Sequence, residues 1–337
     1  MAAMHERGAS IRFEIFTKVP EWFFQESLSG PFTYHSCLTD IGMIQKTPLR
    51  EDLSKTLERL DDFLPFDGSQ ITGLAEEITR TGCELVICDI APMGIVVAQE
   101  AGIPSALVEN FTWDWIYEGY AGYDPRMNRH IAYLQRVFEV VDYRVQTEPV
   151  CCYGPADLTV SPVSREVRTP AQQVREKLGI PSDSKVVIVT MGGMVEQHLS
   201  LEELTGQGDA YFVILGSHSS MQIRDNLVLS PHHSGFFHPD LIHACDAVIG
   251  KVGYSTLAEV YHAGVPFGYV TRPNFRESEA LAAYVEKHMK GFAITEAQFQ
   301  DGSWIGRLPD LLALPRVRRT GPNGAGQVAN FVCSRIT

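Results

Sequence analysis

DAVIGKVGYSTLAEVYHAGVP, residues 246–266, is the stretch whose reading decides the fold. Its β-branched start reads as a buried strand ending at about Ile249, and Gly250-Lys251-Val252-Gly253 reads as a tight turn. Tyr254 to Ala263 carries helical spacing, with Gly264 as its stop. Ser255 or Thr256 suits the N-terminal end of that helix, and Glu259 lies one turn in. The first backbone amides of a helix have no partner inside it and carry partial positive charge. At the carboxyl edge of a parallel sheet such a helix start is a ready phosphate site. Glycine there lets a phosphate approach the backbone, Lys251 adds a charge, and Glu259 is placed to accept hydrogen bonds from two ribose hydroxyls. Alone, the turn is equally a plain strand-to-helix connection, because its spacing fits neither a dinucleotide fingerprint nor a P-loop.

Working outward, the same alternation recurs. PFGYVTR (266–272) follows as a strand, and KVVIVTMGG (185–193) and YFVILGS (211–217) precede as strands, the former ending in Gly192 and Gly193, a second candidate phosphate turn. In the first half, IRFEIF (11–16), ELVICDI (84–90) and PSALVEN (104–110) read as strands. GIVVAQEAG is a helix stopped by Gly102, and NRHIAYLQRVFEVV is a long amphipathic helix. Strand–helix repetition of this kind implies parallel sheets covered on both faces. The three prolines between Pro155 and Pro170 mark the boundary, so the expected domains are 1–158 and 159–337, with the last helix packing back on the first. The opening MAAMHERG reads as the end of a helix closed by Gly8, feeding the strand 11–16. Either the domain begins with a helix or its first strand and the turn after it are missing; the expectation is the second.

The chain has 337 residues, 45% hydrophobic and 20% charged, enough for two domains with ordinary globular cores. A net charge of -13 argues against nucleic acid as a partner, since such binders present a basic face. The seven cysteines include no CxxC pair, which fits a reducing compartment. With no signal peptide and no apolar run of the ~18 residues that span a bilayer, a cytoplasmic protein is expected. Four histidines fall in HHSGFFHPDLIH (232–243), but without a helical pair and carboxylate partner they read as a loop rather than a metal site.

The segment 246–270 resembles the donor site of glycosyltransferase family 28, a GT-B group: Gly253, Ser255, Thr256, Glu259, Gly264 and Pro266 match its pattern. The resemblance is closer to the transferase-like N-terminal region of L-arabinokinase and its stand-alone relatives. GKVGYSTLAE, VPFGYVTRPNFRE, SWIGRLPDLL, NFTWDWIYEGY (110–120) and GPNGAGQVANFV (321–332) carry it over most of the chain. It implies an α/β fold of two Rossmann-like doubly wound domains facing a cleft, with a nucleotide sugar on the second and an acceptor on the first. Lys251, Gly253, Tyr254, Ser255, Thr256 and Glu259 would then hold the nucleotide, with Arg272, Phe275, Glu277 and Glu279 of RPNFRESEAL toward the sugar. Glutamine often stands at this point in the family, so the two carboxylates leave the sugar open. The loop 232–243 would lie near the base.

In the first domain Asp89 follows one strand, and Asn110, Trp113 and Asp114 follow the next, at the ligand-facing edge of a parallel sheet. Tryptophan beside carboxylates is a common sugar clasp, though Trp113 is equally a core residue and Asp89 equally a helix cap. The family's base resembles a histidine in the turn after the first strand, which leaves Asp89 as the candidate base here. The expected function is metal-independent, inverting transfer from a nucleotide diphosphate sugar, a UDP-sugar, to an acceptor hydroxyl, with no cofactor. A non-catalytic nucleotide-sugar-binding or regulatory module of the same fold is the alternative, with a sugar-nucleotide epimerase behind it.

Overall fold

The apolar runs become strands in a computed structural model that describes every residue except 8–10, 192–200, 208–209, 219, 232 and 337. In chain order the strands are β1 (Phe13–Thr17), β2 (Phe32–Ser36), the short pair β3 (Gln45–Thr47) and β4 (Arg50–Glu51), β5 (Val86–Asp89), β6 (Ser105–Glu109), β7 (Tyr143–Thr147), β8 (Leu158–Val160), β9 (Lys185–Thr190), β10 (Ala210–Leu215), β11 (Gln222–Arg224), β12 (Leu227–Ser230), β13 (Ala247–Lys251), β14 (Phe267–Val270) and β15 (Gly291–Ala293). Helices join most of them, as the alternating pattern requires. None is long and apolar enough to cross a membrane among the described residues.

Two compact units divide the chain. The first holds Met1–Ile44, Glu51–Val163 and Pro322–Thr337, and the second holds Gln45–Arg50 and Ser164–Gly321. The main crossing thus falls after Val163 rather than after residue 158. The last helix, Gly324–Cys333, is part of the first unit, where Ala329 and Val332 share a small core with Met4 of the opening helix Ala2–His5. Gly324 is glycine for a packing reason: a Cβ there would lie 1.9 Å from the Ser161 carbonyl oxygen.

In the second unit the sheet order is β11-β12-β10-β9-β13-β14-β15, parallel throughout except for β11 at its edge. Strand periodicity places Val186 and Ile188 of β9 in one core and Val187 and Val189 in the other, so both faces are covered. Leu49, from the short excursion Gln45–Arg50, enters the second of these cores. In the first unit β5-β6-β7-β8 form one parallel sheet, while β1 and β2 pair separately, also in parallel. β5 lies at one edge of its sheet and is partly exposed, Ile87 by 37%.

Two details differ from the sequence reading. β13 runs on to Lys251, so the expected four-residue turn is only Val252 and Gly253. Gly8, Gly192, Gly193 and His232 lie outside the described residues.

Candidate functional site

The two glycines around Lys251 do different work. A Cβ on Gly250 would lie 1.9 Å from the Thr190 carbonyl oxygen, so this residue is glycine because β13 and β9 meet there. Gly253 has an ordinary extended backbone (φ −139°), and among the described residues a Cβ there would meet nothing closer than Lys251 Cε at 4.0 Å. Gly253 is the N-cap of the helix Tyr254–Ala263, and no side-chain cap is recorded for its first turn among the described residues. The sequence assigned that cap to Ser255 or Thr256; both instead sit inside the helix, Ser255 exposed and Thr256 half-buried. Lys251 and Tyr254 are half-buried beside them. The result is a partly exposed mouth of backbone amides at the carboxyl end of β13, next to one lysine. That arrangement suits an anion.

Glu259 is buried, and both carboxylate oxygens are engaged by the protein. Arg165 donates to Oε1 from Nη2 at 3.1 Å and from Nε at 3.3 Å, and His238 Nδ1 bonds Oε2. Burial pushes the Glu259 pKa up, but His238 and then Arg165 outweigh it and hold the carboxyl below its ordinary value of 4.5. The three residues come from separate stretches: Arg165 from the loop after the unit boundary, His238 from the first position of the helix His238–Ala244, and Glu259 from the helix behind the mouth. Arg165 and Arg168 also flank the Phe237 ring, at 4.8 and 4.2 Å from its centroid. Nothing in the sequence marked Arg165, and His238 was read only as one of a histidine-rich loop.

Three of the four residues expected toward the sugar, Arg272, Phe275 and Glu277, are buried. The Arg272 guanidinium lies 3.3 Å from the Phe275 ring centroid, and its backbone N–H donates to Ser278 Oγ at 3.1 Å. Glu279 alone of the four is exposed, in the first turn of the helix Glu277–His288.

In the first unit the expected sugar clasp is closed. Trp113 is 9% exposed, stacks on Tyr117 (centroids 5.7 Å apart, 23° between planes) and meets Phe111 edge-on at 5.1 Å. Its indole N–H donates to Asp40 Oδ2 at 2.9 Å. Trp113 thus packs against Tyr117 and Phe111 in the core. Asn110 is buried as well, and its carbonyl accepts from the Cys151 N–H at 2.8 Å. Asp114 is half-buried, and burial raises its pKa. Asp89 ends β5 and does not cap the helix Met93–Ala101, which takes no side-chain cap. Although Asp89 is exposed by area, enough protein surrounds its carboxyl for burial to raise its pKa; Asp40 adds to the rise and the Met1 amino group opposes it. Ile90, the next residue, has φ +48°, a left-handed conformation that strains a β-branched side chain. Asp40, absent from the sequence reading, therefore joins Asp89 as a second carboxyl at this edge. Gly42 (φ +64°), whose carbonyl takes the Tyr117 hydroxyl at 2.6 Å, shapes the loop that brings it there.

No model of a known protein family matches the chain. It is 27% identical to L-arabinokinase of Arabidopsis thaliana over 336 residues, 97% of this chain and 32% of that protein. The chain thus spans about a third of that relative's length. It is 25% identical to an uncharacterized glycosyltransferase of Methanopyrus kandleri over 287 residues, 77% of this chain and 78% of the other. Among solved structures, UGT89C1 of Arabidopsis thaliana complexed with UDP has a TM-score of 0.62 at 13% identity, over 99% of this chain and 94% of that one. The fold is that of the GT-B glycosyltransferases.

Proposed function

We propose that the chain transfers a sugar from a nucleotide diphosphate sugar, with UDP as the nucleotide, to an acceptor hydroxyl. The observation that carries this reading is the uncapped amide mouth at Gly253–Thr256, flanked by Lys251. Departure of the sugar leaves negative charge on the diphosphate, and fixed amides with a lysine stabilise that charge without having to reorganise. This supplies the electrostatic need with the chain's own groups, so the transfer is expected to proceed without a metal ion. A relative named as a glycosyltransferase and a neighbour solved with UDP support the same reading.

Inverting transfer also requires a base for the acceptor hydroxyl. Asp89 is assigned that role: its pKa is raised by burial and by Asp40, which moves a carboxyl toward working pH and strengthens it as a proton acceptor. The sign follows: Asp89 must be ionised to act, so the rate rises with pH through its raised pKa. Calorimetric titration with UDP and a panel of UDP- and dTDP-sugars tests the donor site. Saturable binding of a nucleotide diphosphate, weakened by Gly253→Val or Lys251→Ala, is expected; no binding by any member of the panel would sink the reading. Release of UDP in the presence of EDTA, abolished in Asp89→Asn, is the expected outcome for the chemistry.

A second reading, a nucleotide-sugar-binding module without turnover, is favoured by the match to part of a protein named as a kinase. Binding of the donor with no UDP release by the parent chain would select it.

A further inference from the structure

Of the seven cysteines, Cys152 is the exposed one, and its neighbour Cys151 is half-buried. Cys88 and Cys245 are buried, and burial pushes both thiols up to about 12, which leaves them inert. Burial raises the half-buried Cys37 thiol as well. The adjacent pair at 151 and 152 therefore differs from the others in access, and the donor-site reading makes no use of it.

The loop that carries the pair is pinned from below. It follows β7, at the carboxyl edge of the parallel sheet β5-β6-β7-β8. Cys151 donates its backbone N–H to the Asn110 carbonyl at 2.8 Å, and Asn110 Nδ2 donates to Cys151 Sγ at 3.7 Å. The Cys152 carbonyl accepts from Gln146 Nε2 at 3.0 Å, and the same nitrogen donates to Glu109 Oε1 at 3.0 Å. Asn110 and Gln146 are fixed supports, since they are 6% and 1% exposed. An N–H aimed at sulfur suits a thiolate, which accepts and does not donate.

Neighbouring Cα atoms lie about 3.8 Å apart across a trans peptide, less than the about 4.4–6.8 Å of ordinary disulfides. A bond between them closes only by bending the backbone that carries it. The resulting strain makes the bond easy to reduce, which marks a switchable rather than a structural disulfide. Here the backbone to be bent is the stretch held by Asn110 and Gln146.

We propose that Cys151 and Cys152 are a redox-sensitive pair, converted to a vicinal disulfide by small disulfides of the glutathione disulfide class. The Cys152 thiolate attacks one sulfur of the small disulfide, forms a mixed disulfide and expels one thiolate. The Cys151 thiolate then attacks Cys152 Sγ, closes the ring and expels the second thiolate. Two protein thiols are oxidised, the small disulfide is reduced to two thiols, and the two cysteine protons pass to them. Closure pulls on the bonds to Asn110 and Gln146, so the oxidised loop loosens from the ends of β6 and β7.

The test exposes the folded parent chain, Cys151→Ser and Cys152→Ser to glutathione disulfide, followed by alkylation and trypsin. Cleavage after Arg144 and Arg165 releases residues 145–165 as one peptide that carries both cysteines and no other. In the parent, that peptide is expected to lose two hydrogens and take up no alkylating agent, and dithiothreitol should reverse the change. In Cys151→Ser it should instead accumulate with one glutathione attached, because the resolving thiol is gone. Cys152→Ser should gain that adduct about tenfold more slowly, since Cys151 is the less accessible thiol. Amide exchange at residues 150–154 of the parent should rise about tenfold or more on oxidation. A parent peptide that keeps both thiols, or that ends with two glutathione adducts, overturns ring closure. Oxidation that proceeds only in urea overturns it too. Loss of two hydrogens with unchanged exchange overturns the loosening of the loop. None of these readouts involves a nucleotide, so this inference and the transferase reading fail independently.

Discussion

At the residue scale, chemically similar residues separate by what surrounds them. Gly250→Ala drives a Cβ into the Thr190 carbonyl and should cost about 2–3 kcal/mol in urea unfolding, the range of overpacked cores. Gly253→Ala, with an ordinary φ and no described atom closer than 4.0 Å to the new Cβ, should leave unfolding unchanged within about 0.5 kcal/mol; a larger loss would mean that the mouth is filled. Glu259 has a depressed pKa in the folded chain, so its contribution is complete above the ordinary value of 4.5 and is lost as pH falls through the lower folded value. The stability gap between the parent and Glu259→Gln should therefore be widest near neutral pH and close as the pH drops below that range. A gap that widens on acidification would contradict the ion-pair geometry. Trp113→Phe keeps most of the ring packing but removes the donor to Asp40, whose pKa is already raised by burial. Loss of about 1–3 kcal/mol is expected, with the Asp40 carboxyl titrating still higher by NMR.

At the element scale, the helix behind the mouth is defined at both ends by backbone rather than side-chain chemistry. Gly253 begins it without a cap, and Gly264 ends it in the left-handed conformation at φ +68°. A Cβ on Gly264 would also lie 2.0 Å from the Val317 carbonyl oxygen, because Val317 donates its own N–H to Gly264 at 2.8 Å. Gly264→Ala should therefore cost more than about 2 kcal/mol, combining left-handed strain with the clash; a neutral outcome would show that the 317 segment does not lie on this helix. That segment also covers helix C-termini. Arg316 donates to the carbonyls of His243 and Cys245, and Arg319 to those of Tyr261 and His288. The end of this helix at Gly264, like that of Met93–Ala101 at Gly102, was legible in the sequence, since a left-handed stop selects glycine locally. The arginines that meet the carbonyls were not legible, since they arrive from residues 316 and 319.

At the scale of the whole molecule, each unit carries its own sheet, and the proposed donor site lies within the second. UDP at 100 times its dissociation constant should stabilise the folded chain by about 2.7 kcal/mol, with amide-exchange protection centred on residues 253–259. Protection centred on the first unit would place the nucleotide elsewhere. The period of the apolar residues was enough to establish alternating strands and helices, parallel sheets and the strand-to-helix turn near Gly253, because burial of a strand or helix face is imposed by neighbours a few residues away. The tertiary structure alone decided which polar groups are spoken for. Glu259 is met by Arg165 across 94 positions and by His238 across 21, and Trp113 is turned into the core by Asp40 across 73. Such pairings depend on which loops converge on one sheet edge, and spacing along the chain carries no record of that convergence.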